Sequence, residues 1–131
     1  MLDNDTAGRE AYQKIKKLSL PPRMHVALLP SLLECKDGRT LGPSGALRED
    51  INGKAVSIEW FLDLASPGGI EPTVRWTSYN SELDAYQGEL LDKESYTRRF
   101  IEAAKRRAEY DYRKLDRLWI HLVAACTGEG T

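Results

Sequence analysis

No stretch of this sequence stays apolar for more than a few residues, whereas a membrane-spanning helix needs roughly 20 in a row. A transmembrane helix is excluded. Cysteine is scarce as well: Cys35 and Cys126 lie far apart and have no Cys or His neighbour at metal-ligand spacing, so neither a disulfide framework nor a zinc site is expected. The N-terminus has neither a basic region nor the apolar core of a secretion signal. Together these absences point to a reduced, cytoplasmic setting with no membrane partner. Blocks of like charge long enough to be a disordered tail, internal repeats and low-complexity runs are missing too. Nineteen basic residues against twenty acidic ones give a formal net charge of −1. Any nucleic-acid surface must therefore be local.

What is present is globular. The chain has 131 residues, 41% hydrophobic, 30% charged and 8% aromatic, enough for one ordinary core. Ala7, Ala11, Tyr12, Ile15 and Leu18 recur at helical spacing until Pro21-Pro22, with Asp5 or Thr6 placed to cap the helix. The run Met24 to Leu29 predicts a strand buried on both faces of a parallel sheet. Residues 36 to 54, with Gly38, Gly42, Pro43, Gly45 and Gly53, read as loop with a turn of helix near Ala46-Leu47-Arg48. Ala55 to Leu62 fits either helix or strand, and the spacing of Ala55, Ile58 and Leu62 favours a short helix. After the turn cluster Ser66-Pro67-Gly68-Gly69, Thr73 to Tyr79 is β-branched and aromatic and predicts a strand, returned through Ala85 to Leu90. From about Asp92, the stripes Tyr96, Phe100, Ala103, Ala104 and then Tyr112, Leu115, Leu118, Trp119, Leu122, Val123, Cys126 predict two helices, followed by a frayed tail from Gly128 to Thr131.

Chemistry is suggested first by Asp3-Asn4-Asp5. At the carboxyl end of a strand the two carboxylates can turn toward one point, and a helix N-terminus following directly favours an anion there. Magnesium takes oxygen ligands and keeps several waters, so two carboxylates and a substrate phosphate suffice. The same residues serve equally well as turn and cap residues. An EF-hand is excluded, because Asp3-x-Asp5-x-x-Gly8 is followed by Lys14 where a bidentate Glu is required. Both aspartates lie at a terminus, so replacing them by alanine is expected to cost little folding stability.

Leu2-Asp3-Asn4-Asp5-Thr6-Ala7-Gly8, leading into a helix and an apolar strand, resembles the second acidic motif of Toprim domains, which occur in primases, topoisomerases and the overcoming-lysogenization-defect class of nucleases. Ser57-Ile58-Glu59-Trp60-Phe61-Leu62, Val74 to Tyr79, and Tyr86-Gln87-Gly88-Glu89-Leu90 with Lys93 resemble the C-terminal part of HEPN/Toprim-associated proteins, a class of prokaryotic defence nucleases. The resemblance implies Mg2+- or Mn2+-dependent cleavage of DNA or RNA in antiviral defence, with Asp3 and Asp5 as catalytic metal ligands. Glu59 would be a further metal ligand, or else an exposed helix glutamate. Toprim domains also carry a Glu on a strand well before the Asp-x-Asp motif, and only Met1 and Leu2 precede Asp3 here. The chain is therefore expected to be a C-terminal portion, inactive alone, whose missing strands come from a partner chain or a homodimer.

Other groups carry less. Lys14, Lys17, Arg106 and Arg107 lie in small basic clusters that could meet nucleic-acid phosphates or simply face water. His25 and His121 have no nucleophile at a defined motif, and Gly42-Pro43-Ser44-Gly45 lacks the Lys-Ser/Thr of a phosphate loop. Trp60, Trp76 and Trp119 fit core packing better than base stacking. The expected fold is α/β: a partial Toprim-like, Rossmannoid element over 1–35, then a region over 36–131 holding a loop, a short helix, a β-hairpin and a C-terminal helical hairpin, packed with it as one domain. Two other functions fit these residues: a non-catalytic interaction domain docking to a partner chain, and a primase-like Toprim relative.

Overall fold

The computed structural model describes residues 1–42, 47–65 and 69–127. The architecture is mixed α/β, as expected. Strand β1 (Asn4–Asp5) leads directly into helix α1 (Thr6–Lys16), which Lys17 closes. Lys14 and Lys16 occupy the last turn, where cations meet the negative end of the helix dipole. Antiparallel to β1 runs β4 (Ala55–Val56), with Asn4 opposite Val56 and Asp5 opposite Ala55.

The strand expected over Met24 to Leu29 is reduced to a single parallel bridge between Leu2 and Leu28. It is held by Leu2 N–H to the Ala27 carbonyl and Leu29 N–H to the Leu2 carbonyl, each 2.8 Å. Met24 and His25 are exposed, and within the run only Leu29 is buried. The physical reason is on the partner side: β1 is two residues long and pairs with β4, so a longer parallel ladder has nothing to bond to.

The second sheet has the order β3-β2-β5-β6, built from β2 (Gly38–Leu41), β3 (Arg48–Glu49), β5 (Thr73–Asn80) and β6 (Ala85–Leu90). β2 is parallel to β5 and the other neighbours are antiparallel. β2 and β3 replace the loop and helical turn expected within residues 36 to 54, although Ala46 lies outside the described residues. β2 does alternate, but with Gly38 and Thr40 inward, so apolar periodicity could not reveal it. Gly38 is small for a reason: a Cβ there would come within 3.0 Å of Ile51.

Ala55 to Leu62 is not one helix. β4 is followed by a 3-10 turn, Ile58–Phe61, that drives Trp60 and Phe61 into the core, and the Trp60 indole N–H donates to the Ala55 carbonyl at 3.1 Å. The β5–β6 hairpin is present as expected, with an irregularity between Trp76 and Ser78. Gly88 on β6 lets the two sheets come together, since a Cβ there would lie 2.6 Å from Val74 Cγ1 and 2.9 Å from Ala55 Cβ. Gly88 N–H also bonds the Lys54 carbonyl, tying the hairpin to β4. Helices α2 (Lys93–Arg106) and α3 (Arg113–Thr127) form the expected C-terminal pair, and both pack against the 3-10 turn. Val56, Phe61, Ile51 and Val74 are wholly buried, and Phe100, Leu115 and Leu118 cover them from the helices. Of the expected turn Ser66-Pro67-Gly68-Gly69 only Gly69 is described, and the tail 128–131 lies outside the described residues. Among the described residues no helix is long and apolar enough to cross a membrane.

Candidate functional site

The corner where β1 becomes α1 is fixed from three sides. Asp5 has an extended backbone, and its Oδ1 accepts the Gly8 N–H at 2.7 Å, the bond of an N-cap. Its Oδ2 accepts the side-chain amide of Gln87 at 2.8 Å, and Gln87 Oε1 in turn accepts the Ala7 N–H at 2.8 Å. Thr6 Oγ1 donates to the Tyr86 carbonyl at 2.6 Å. β6 therefore clamps the first turn of α1 through two successive residues, Tyr86 and Gln87. Gly8 permits the closeness, because a Cβ there would fall onto the Asp3 carbonyl oxygen.

This arrangement separates the two aspartates. Asp5 is buried, with both carboxylate oxygens holding protein donors, and proximity to the terminus does not make it structurally idle. Asp3 is exposed and caps nothing. Its carboxyl is held above the ordinary carboxylate range first by partial loss of hydration where the side chain meets the protein, then by the charges of Asp5 and Glu59, with Lys93 pulling the other way. One residue past the β1–β4 pairing, the antiparallel register sets Asp3 opposite Ser57. Ser57 is buried with an unpartnered Oγ, and the buried Oε2 of Glu59 has no hydrogen-bond partner either.

Asp3, Asp5, Glu59 and Lys93 thus share one electrostatic neighbourhood although they come from three separate parts of the chain. They do not form a closed cage: among the described residues no three His, Cys, Asp or Glu side chains stand where they could hold a metal ion. The donor chemistry still suits a hard cation. Asp3 and Glu59 offer carboxylate oxygens, one of them buried and unsatisfied, and magnesium is commonly held by one or two carboxylates with waters and a substrate phosphate filling the rest.

The remaining expected site residues are dispersed. Lys14 pairs with Glu10 at 2.8 Å on α1, Lys17 closes that helix, Arg106 lies 3.6 Å from Glu102 near the end of α2, and Arg107 adopts a left-handed backbone there. None of these four adjoins the acidic corner in the way Lys93 does. His25 is exposed, and His121 Nε2 lies 3.1 Å from the Leu28 carbonyl. Two participants carry no strong signal in the sequence: Gln87, a polar residue in a hairpin strand, and Lys93, one of many lysines until the fold sets it beside Asp3. A cavity of about 690 Å3 lies elsewhere, at the start of α3. No known protein family, curated protein or solved structure matches this chain.

Proposed function

We propose that this chain is part of a Toprim-type, magnesium-dependent nuclease that acts on nucleic-acid phosphodiesters in a cytoplasmic defence system. The observation that carries the reading is the electrostatic neighbourhood that Asp3 shares with Glu59 and Lys93, with a buried carboxylate oxygen of Glu59 left unsatisfied. Asp3 and Glu59 would hold Mg2+ or Mn2+, and Lys93 would meet a phosphate oxygen. Asp5 would orient the corner by capping α1 and would add negative charge beside Asp3. Bound there, the cation would supply charge neutralisation at the phosphate and an activated water. The decisive assay is metal-dependent binding of nucleic acid.

A fluorescent single-stranded oligonucleotide, titrated by anisotropy with and without Mg2+, tests this reading. Mg2+ is expected to tighten binding, and Asp3→Asn is expected to remove that gain. Identical curves with and without Mg2+ would overturn the proposal.

A second reading, a non-catalytic interaction domain, is favoured by one observation. α3 has no buried residue and exposes Trp119 at 65% and Ile120 at 68%. Exposed apolar surface of this kind marks interfaces. Metal-independent self-association lost in Trp119→Ser would favour this second reading.

A further inference from the structure

The cavity of about 690 Å3 at the start of α3 has the size of a small-molecule site, and its charges follow a pattern. Four of its ionisable side chains form two closed pairs on its rim: Arg113 with Asp111 at 2.7 Å and Arg117 with Glu34 at 2.6 Å. Two others, Lys114 and Asp63, line the same cavity, and neither has an ion-pair partner within 4.0 Å among the described residues. One is a cation and the other an anion.

Asp63 is half-buried. Its Oδ1 accepts the Ala65 N–H at 3.0 Å, and its own backbone N–H is held by the Tyr110 hydroxyl at 2.8 Å, which fixes the residue in place. Lys114 is half-buried too. Burial holds its ammonium below the ordinary lysine range, against the opposing pull of Glu34, Cys35, Asp63 and Asp111. A partly desolvated ammonium without a direct partner is costly, and a bound carboxylate would relieve that cost. The same end of the cavity carries the first turn of α3. The Arg113 N–H is taken by Asp111, while the first intrahelical bond is Asp116 N–H to the Tyr112 carbonyl. The intervening amides of Lys114 and Leu115 therefore have no intrahelical partner. Leu64 and Pro72 add an apolar wall.

We propose that this cavity binds a small zwitterion of the free α-amino-acid class. The ligand's carboxylate meets Lys114 and the first-turn amides of α3, its ammonium meets Asp63, and its side chain lies against Leu64 and Pro72. A simple anion would satisfy Lys114 but leave Asp63 unpaired, and it would face the carboxylates of Glu34 and Asp111. A simple cation would leave Lys114 unpaired. Only a ligand bearing both charges completes both groups. This site is separate from the acidic corner and does not depend on the nuclease reading.

The test is an amide NMR titration of the whole chain with L-leucine, with acetate and methylammonium as half-ligand controls. L-leucine is expected to give saturable shifts at Lys114 and Leu115, with neither control reproducing them. Lys114→Gln and Asp63→Asn are each expected to weaken L-leucine at least about tenfold, the loss of one charge-assisted contact. Asp63→Asn keeps an oxygen for the Ala65 N–H, and an unchanged amide spectrum away from the cavity verifies that each variant folds. Acetate binding as tightly as L-leucine would reduce the site to an anion site and overturn the proposal. Absence of saturable shifts, or wild-type affinity in both folded variants, would also overturn it.

Discussion

Asp5 provides the sharpest separation between holding the fold and holding a ligand. Asp5→Ala removes an N-cap bond to Gly8, a change worth about 1 kcal/mol. It also strips the Gln87 amide of its charged acceptor, and a hydrogen bond to a charged group contributes about 1.5–3 kcal/mol. Because Asp5 is buried, water does not readily replace the lost acceptor. The expected cost is about 2.5–4 kcal/mol, the sum of those two effects. Asp5→Asn keeps an oxygen for the Gly8 N–H and is as good a cap residue, but its amide nitrogen would face the Gln87 amide donor, so it should cost about 1.5–3 kcal/mol from loss of the Gln87 contact alone. Urea unfolding followed by far-UV circular dichroism measures both, provided the slope stays constant. If Asp5→Ala unfolds within about 0.5 kcal/mol of wild type, the size of an ordinary surface change, the clamp does not hold the fold. If Asp5→Asn is as damaging as Asp5→Ala, the Gln87 contact and not capping is what Asp5 contributes.

Three further outcomes follow from the structure. Asp3 has a folded-state pKa above its ordinary value of 3.8, so its ionisation opposes folding. That penalty is absent below the unfolded value and grows as pH rises through the folded one. Asp3→Asn should therefore stabilise the chain near neutral pH and have no effect in strong acid, and unfolding at both pH values checks the sign. Gly88→Ala places a methyl 2.6 Å from Val74 Cγ1 and 2.9 Å from Ala55 Cβ, an overpacking expected to cost about 1–3 kcal/mol. A midpoint shift in urea measures it, and an unchanged midpoint contradicts the packing described. Burial pushes the Cys35 thiol up to about 12, while Cys126 is exposed. A thiol reagent should titrate one cysteine in the native chain and the second only on unfolding.

The elements most legible in the sequence are those whose apolar period is their own. α1, the β5–β6 hairpin and the two C-terminal helices announce themselves by spacing, by β-branched and aromatic content, or by cap residues. β2 does not, because its inward positions are Gly38 and Thr40 and its stability comes from pairing with β5 and β3. Met24 to Leu29 misleads in the opposite direction: it has strand composition but finds a partner only at Leu28. Ala55 to Leu62 has apolar residues at helical spacing that a two-residue strand and a 3-10 turn also satisfy. At the candidate site, the Asp-x-Asp pattern is visible in the sequence, but the division of labour is not. Only the fold shows that Gln87, more than 80 residues along the chain, occupies Asp5, and that Asp3 gains Glu59 and Lys93 as neighbours instead.

Calorimetric titration of Mn2+ into the wild-type chain, Asp3→Asn and Glu59→Gln tests the central claim most directly. Binding to wild type that weakens at least about tenfold in each variant, a loss of about 1.4 kcal/mol or more, is the predicted result. Equal Mn2+ affinity in all three chains, or no heat of binding in wild type, would contradict it and leave the acidic corner as the cap of α1.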